Sequence, residues 1–176
     1  LTEIGNSTLL AVITTVTTTI VSLPLAYVLI RYSFPGKSWM QGFVLVPMIM
    51  PPFVGAVGIK QLFSQFGAVN MLAMKLGIMD WDTAIDWFGG SELRKMGGVI
   101  FLGTLHLYPI MYLNVAAALA NVDPTLEDAA RNMGAGRWRL FRTISLPLMM
   151  PGYFAGAIIV FIWAFTDLGT PLMFEF

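Results

Sequence analysis

The 176-residue chain is 57% hydrophobic and only 11% charged, with 10 basic and 10 acidic side chains, one histidine and no cysteine. Soluble domains carry about 25% charged residues, and a soluble core of this size could not hide so much apolar surface, so lipid is favoured as the solvent. The balanced charge gives no basic field that would indicate nucleic-acid binding. The absence of cysteine excludes disulfides and thiolate metal sites within these residues.

The first long apolar stretch, residues 7–30, has no charged side chain and is rich in threonine. At about 1.5 Å per residue, such a helix crosses the roughly 30 Å hydrocarbon core of a bilayer with some tilt. Threonine hydroxyls can bond to carbonyls of their own helix, which makes this composition tolerable in a membrane. A short loop with Arg31, Lys37 and a Pro-Gly turn signal ends this predicted span.

The second uncharged stretch, residues 38–59, has prolines and glycines in its interior. Each internal proline removes a helix hydrogen bond, and non-helical backbone at membrane depth is tolerated only against protein or a wet cavity. Two interpretations stay open, namely a broken or kinked span that faces other helices and an ordinary proline-kinked span with no transport role.

The rest of the chain predicts a connection and two more spans. Residues 61–96 mix acids, bases and tryptophans, which predicts an exposed connection with one short amphipathic helix near residues 68–76. Residues 97–122 and 143–166 are the third and fourth apolar stretches. We therefore predict an all-α, polytopic membrane helical bundle within a single domain over residues 1–176.

The spans are joined by loops that differ in lysine and arginine content. One side holds six of these residues and the other side holds four, so the positive-inside rule places the first side in the cytoplasm. That side includes residues 123–147, which we call the charged loop. Inside it, the capping residues and acids predict a short helix over 127–133, ended by Gly134. A second surface helix is predicted over 137–145, stopped by Pro147.

From the residues alone, the charged loop fits functions of different classes. It could rest on anionic headgroups as part of a lipid-binding membrane scaffold, or it could dock into a groove on a partner protein. An intramembrane enzyme is disfavoured because the sequence shows no convergent nucleophile and base. A phosphate-binding loop of the Gly-x-x-x-x-Gly-Lys-Ser/Thr type is also missing from these residues, so ATP hydrolysis is not expected of this chain.

A motif in the charged loop carries a family resemblance. The spacing Asp128-Ala129-Ala130, three residues, Gly134, nine residues, Ile144-x-Leu146-Pro147 resembles the EAA motif of ABC importer permeases. The family pattern begins with Glu, so Asp128 replaces it here, although Glu127 is adjacent. The stretches LPLAYVLIRYSFPGK and LVPMIMPPFVGAVG are also similar to the family. The resemblance covers most of the chain.

The resemblance implies a permease subunit in the bacterial inner membrane with no enzyme activity and no cofactor. Its two short helices would be coupling helices seated on a separate cytoplasmic ATP-binding subunit, and its other partners would be an extracytoplasmic substrate-binding protein and a second permease unit, either a copy or a fused homologous half. Family members have five or six spans, so the chain is expected to be a truncated unit. The coupling residues implied are Glu127, Asp128, Ala129, Ala130, Gly134, Ile144, Leu146 and Pro147.

Three residues are candidates for lining the transport pathway. They are His106 and Tyr108 in the third stretch and Asp167 at the end of the fourth, because ionisable groups at membrane depth are expensive and often functional. A packed histidine and an interfacial aspartate are the structural alternatives. The tail FTDLGTPLMF resembles the ferric-iron branch of the family, so ferric iron is the first expected cargo, followed by a polyamine, thiamine or a phosphonate.

Overall fold

The computed structural model describes the backbone of residues 2–167 and 169–173. Over these residues the chain is helical and has no strand, which confirms the all-α prediction. The helices are α1 (Thr2–Arg31), α2 (Lys37–Ile49), α3 (Pro52–Phe63), α4 (Ala68–Lys75), α5 (Glu92–Ala120), α6 (Pro124–Asn132), α7 (Arg137–Leu140), α8 (Leu146–Thr166) and α9 (Gly169–Met173), with a 3₁₀ turn at Trp81–Thr83 and a π-helical segment at Phe141–Ser145.

Three described helical stretches are long and apolar enough to cross a membrane: Ile4–Arg31, Glu92–Ala120 and Arg137–Thr166. Residues 37–49 and 54–75 also qualify as a pair, but they bend by 100° where they meet. The second predicted span is therefore two helices that meet at a sharp break, the geometry of a broken span or of a re-entrant loop. The break lies at Pro51 and Pro52, where α2 ends and α3 begins, because a proline cannot donate the helix hydrogen bond that would continue α2.

Helices α1, α5 and α8 pack against one another and form the centre of the bundle. Glycines on α8 allow its closest approach to α5: a Cβ atom on Gly152 would lie 2.5 Å from Cβ of Ala118, and one on Gly156 would lie 3.0 Å from Sδ of Met111. Small residues four apart let helix backbones approach in this way in membranes, where packing rather than water exclusion drives association.

The threonines of α1 use their hydroxyls as the sequence predicts. Thr15 and Thr19 donate to the carbonyls of Ala11 and Thr15, each at 2.7 Å. Other hydroxyls link α1 to α5: the Oγ1 atoms of Thr17 and Thr104 are 2.6 Å apart, and Ser22 donates to the carbonyl of Tyr108 at 2.9 Å. Hydrogen bonding thus supplements apolar packing between these helices.

The bundle has two ends, which we call the loop end and the cavity end. At the loop end, the last turn of α1 and the charged loop meet beside a core that includes Leu29, Leu119 and Met149. At the cavity end, a smaller core joins Leu10 and Leu102. Helices α1 and α5 run from the cavity end to the loop end, and α8 runs back.

Candidate functional site

The first half of the charged loop is the helix α6, which is closed at both ends by its own sequence. Asp123 is the N-cap, and its carboxylate accepts a hydrogen bond from the backbone N–H of Thr125 at 2.9 Å. Pro124 occupies the first helical position, where its missing N–H costs nothing. The hydrogen bond from Thr125 lowers the pKa of the exposed Asp123 carboxyl below its ordinary value. The predicted helix is confirmed and begins three residues earlier than expected.

Gly134 ends α6 in the left-handed region, as the sequence predicts. Its φ is 83°, its N–H donates to the carbonyl of Arg131 at 2.9 Å, and the N–H of Ala135 donates to the carbonyl of Ala130 at 3.0 Å. This is the Schellman arrangement of a helix C-terminus. A side chain with Cβ is disfavoured at this φ, so glycine sets the sharp break between the two halves of the loop.

The second half of the loop does not form the separate surface helix predicted over residues 137–145. Helix α7, the π-helical segment and α8 are continuous, because the residues at both junctions, Leu140 and Ser145, keep right-handed helical backbone angles. The helix runs without interruption over Arg137–Thr166. The prediction that Pro147 stops the helix is therefore wrong.

The π-helical segment explains why Pro147 is tolerated. A proline ring normally clashes with the carbonyl four residues earlier and lacks the N–H that this carbonyl would accept. Just before Pro147, the N–H of Leu146 donates to the carbonyl of Phe141, five residues back. This wider turn changes the hydrogen-bond register immediately before the proline, and the helix continues past a residue that has no N–H to donate.

The eight residues of the motif are divided between an outer and an inner surface. Asp128, Ala129 and Gly134 are exposed, and so is Pro147. Glu127 and Ala130 are buried, while Ile144 and Leu146 are half-buried. The outer surface also presents two large apolar residues that the sequence reading passed over, Met133 at 82% exposed and Trp138 at 72% exposed. Their position in the sequence, close to the predicted break at Gly134, could have indicated that they are exposed.

Glu127 is the buried acid beneath the outer surface. It is only 5% exposed, it forms an ion pair with Arg31 at the end of α1, and it accepts a hydrogen bond from the Ser145 hydroxyl at 2.9 Å. Arg131 approaches its other oxygen at 3.9 Å and also pairs with the exposed Asp128 at 3.5 Å. A buried carboxylate is stable only when it is paired and hydrogen-bonded in this way.

Aromatic rings reinforce the same contact region. Phe141 in the π-helical segment packs edge-to-face on Tyr27 of α1, with ring centroids 5.0 Å apart, and stacks on Trp138 at 5.8 Å. Such pairs contribute roughly 0.5–1.5 kcal/mol beyond the burial of their area. The end of α1 and the start of the long helix are thus joined by both polar and aromatic contacts.

A cavity of about 350 Å³ lies at the opposite end of the bundle. It is bordered by the first half of α1, the break between α2 and α3, the first half of α5 and the ends of α8 and α9. Hydroxyl side chains from Ser7, Thr14 and Thr170 line it. The non-helical backbone at Met50 and Pro51 borders the same space, which fits the rule that such backbone faces protein or a wet cavity.

The structure brings together two of the three predicted pathway residues. His106 and Asp167 both line the cavity, whereas Tyr108 packs against the core at the loop side of the bundle. Asp167 also has a structural task, because its carboxylate accepts hydrogen bonds from the N–H groups of Gly169 at 3.0 Å and Thr170 at 3.2 Å. It therefore caps the start of α9, and the sequence alone did not indicate this role.

Comparison with known proteins gives the family and several relatives. Residues 18–174 match the family described as the binding-protein-dependent transport system inner membrane component. The molybdenum transport system permease protein ModB of Escherichia coli K12 is 34% identical over 149 residues, which cover 85% of this chain and 60% of that protein. The molybdate/tungstate transport system permease protein WtpB of Thermococcus kodakarensis is 32% identical over 170 residues, covering 97% and 59%.

A third relative, the ModB protein of Haemophilus influenzae, is 31% identical over 157 residues, covering 87% of this chain and 64% of its own length. The chain thus spans about three fifths of the length of these curated relatives. Their names refer to molybdenum, molybdate or tungstate and not to iron, so the expectation of ferric iron as cargo is not supported.

Proposed function

This chain belongs to the family of binding-protein-dependent inner membrane transport components, the type I permeases of ABC importers, and from that premise we propose that its charged loop couples a separate ATPase to the spans. The protein is a multi-pass inner membrane protein. The observation that carries the proposal is the two-sided loop. It presents Ala129, Gly134 and Met133 outward while its inner side is held against α1 and the long helix.

The shape of the outer surface suits a mechanical contact. Small residues at Ala129 and Gly134 allow a partner backbone to approach closely, and the exposed Met133 and Trp138 offer apolar anchors of the kind that dominate interfaces. A signal that shifts a two-state equilibrium requires a contact that is rigid in both states. The rival function, a scaffold that rests on lipid headgroups, does not require the sharp break at Gly134.

Site-specific crosslinking tests this proposal. Because the 176 residues contain no cysteine, a cysteine introduced at Ala129 or Met133 is unique in them. In the assembled transporter we expect both variants to crosslink to the ATP-binding subunit. The matched control is a cysteine at Ile78, which is 72% exposed but lies in the connection at the other end of the bundle. Crosslinks to lipid alone, with none to an ATPase, would refute the coupling role.

For the cargo we propose a tetrahedral oxyanion of the molybdate and tungstate class, carried in from an extracytoplasmic binding protein. The support is the similarity to permeases whose names refer to those anions. The cavity is compatible with such a cargo, because hydroxyls from Ser7, Thr14 and Thr170 can donate to anion oxygens. Asp167 lines the same cavity, and its Oδ1 atom accepts hydrogen bonds from two backbone N–H groups of the chain itself.

Uptake of radiolabelled molybdate by cells that carry or lack the complete transporter tests the cargo. We expect uptake that depends on the transporter, competes with excess tungstate and is indifferent to a ferric chelate. A probable sulfate transport system permease protein of Marchantia polymorpha is 28% identical over 166 residues, so sulfate is the informative second competitor. Competition by sulfate alone would shift the cargo to sulfate, and indifference to every oxyanion would refute the proposal.

A further inference from the structure

The buried group beneath the charged loop joins three separate parts of the chain. Arg31 is the last residue of α1, Glu127 lies in α6, and Ser145 is the last residue of the π-helical segment. The ion pair between Arg31 and Glu127 and the hydrogen bond from Ser145 to Glu127 share the same carboxylate oxygen, Oε1. We call these three residues the clasp.

A contribution to the stability of the fold does not by itself explain why a buried ion pair is present here. Removing a carboxylate from water is costly, and well-packed apolar residues of similar volume often serve a buried position equally well or better. The side chains of Glu127 and Arg31 are only 6% and 17% exposed, so both bear this cost. A buried polar group does, however, fix one geometry, because its hydrogen bonds are satisfied in a single arrangement.

The clasp lies where that geometry matters. Helix α6 ends at the left-handed Gly134, so its link along the chain to the long helix is a break of a few residues rather than a rigid rod. Direct packing between α6 and the second half of the loop is slight compared with that between α1, α5 and α8. At its other end α6 follows α5 after residues 121–123, so its angle is held by that short link and by the buried inner-face residues Glu127 and Ala130.

We propose that Glu127 is a positioning residue, which locks α6 to the ends of α1 and the long helix so that a push on the outer surface moves both spans together. This inference rests on the proposed function, because it assumes that an ATPase pushes on the loop. None of the three clasp residues borders the cavity at the opposite end of the bundle. Its role is to convert a displacement of one short helix into a joint displacement of two spans.

Glu127→Gln is the central test, because the amide keeps the shape and can still accept from Ser145 while losing the charge that pairs with Arg31. Ser145→Ala removes only the third member of the clasp. Glu92→Gln is the control, since Glu92 is an exposed acid that pairs with Lys95 at 3.3 Å near the cavity end. Each variant is purified as the complete transporter and reconstituted into liposomes.

The measurement is the amount of molybdate transported per ATP hydrolysed, together with co-purification of the ATPase and the melting temperature. We expect Glu127→Gln to keep the ATPase bound but to lower transport per ATP by about tenfold, the size expected when a charge-assisted bond is lost. Ser145→Ala should lower it by severalfold, and Glu92→Gln should leave it unchanged. A role in folding alone would lower the melting temperature and the yield without changing this ratio.

The outcomes separate this inference from the proposed function. If the unaltered transporter crosslinks to its ATPase through Ala129, and assembled Glu127→Gln and Ser145→Ala transport as much per ATP as the unaltered protein, the clasp is overturned and the coupling loop stands. If Glu127→Gln fails to assemble, Ser145→Ala decides by the same ratio. If the unaltered transporter shows no contact between Ala129 and an ATPase, both are overturned.

Discussion

The two halves of the charged loop are held in place by different means. The first half, α6, is capped by Asp123, ended by Gly134 and tied to the spans by the side chain of Glu127. The second half, α7 and the π-helical segment, is the beginning of a helix that continues to Thr166. One half is positioned by contacts and the other by covalent continuity with a span.

This difference indicates a division of labour within one motif. A half that is continuous with a span transmits displacement through helix hydrogen bonds, whichever side chains it carries. A half that a non-helical link separates from the preceding span, α5, depends more on the side chains that tie it to the other spans. Substitutions on the inner face of α6 should therefore affect coupling more than comparable substitutions in the second half. The following predictions test that contrast.

Arg31→Ala should have the largest effect. It leaves the Glu127 carboxylate buried with Ser145 as its main partner, and breaking a buried pair by removing one side costs about 3 kcal/mol or more. We expect a lower melting temperature in detergent and a spin label at Ala129 that becomes mobile while one at Trp138 stays ordered. Arg94→Ala is the control, because Arg94 is exposed near the cavity end. Equal mobility at both labels would contradict the contrast.

Gly134→Ala should have the next largest effect. A Cβ atom at φ 83° costs about 1 kcal/mol, although no neighbouring atom obstructs it. The matched control is Gly136→Ala, where φ is −67° and space is equally open, so the change should be nearly silent. Both the free energy of unfolding and the transport per ATP should be lower in Gly134→Ala than in Gly136→Ala. Similar values for both would show that the left-handed break is unimportant.

Pro147→Ala should change geometry more than stability. With an N–H restored at this position, the π-helical segment can return to ordinary α register, which rotates α7 relative to α8 by about one residue, or about 100°. We expect a changed distance between spin labels at Trp138 and Phe154, measured by pulsed electron resonance. Leu148→Ala, an exposed neighbour, is the control. An unchanged distance would show that the π turn does not depend on the proline.

Lowering the pH should have the smallest effect, confined to the start of α6. The pKa of Asp123 is lowered in the folded protein, so its cap contributes fully above the ordinary aspartate pKa and is lost as the pH falls through the lowered value. Hydrogen-exchange protection, taken relative to the intrinsic exchange rate at each pH, should fall at the first turn of α6, while protection in α7 should not. In Asp123→Asn this pH-dependent loss of protection should be absent, because the amide does not titrate. A change of equal size in both halves would contradict this assignment.

The parts of the loop that were predictable are those with local causes. The cap at Asp123 and the left-handed end at Gly134 follow from the conformational preferences of single residues. The burial of Glu127 was not predictable, because it depends on Arg31, which is distant in sequence and near only in the folded bundle. The prediction that Pro147 ends the helix was wrong because a π-helical segment precedes the proline and lets the helix continue. Such a segment has no clear pattern in the sequence.

Outside the loop, the spans were predictable from the sequence, whereas the residues that line the cavity together were not. Apolar length alone was sufficient to predict the long helices, and the internal prolines and glycines of the second stretch indicated a break or a kink without deciding between them. Predicting that His106 and Asp167 line the same cavity would have required knowing how α5 and α8 pack together. The tail sequence led to ferric iron as the expected cargo, whereas the names of the relatives refer to molybdenum, molybdate or tungstate.

The length of the uninterrupted helix from Arg137 to Thr166 connects the charged loop with the cavity. It is 30 residues long and, at about 1.5 Å per residue, extends about 45 Å. Its first turns are part of the charged loop, and its other end, at Trp163 and Thr166, borders the cavity. Treated as a stiff rod, it would turn a tilt of about 10° at its base into a displacement of about 8 Å at its other end.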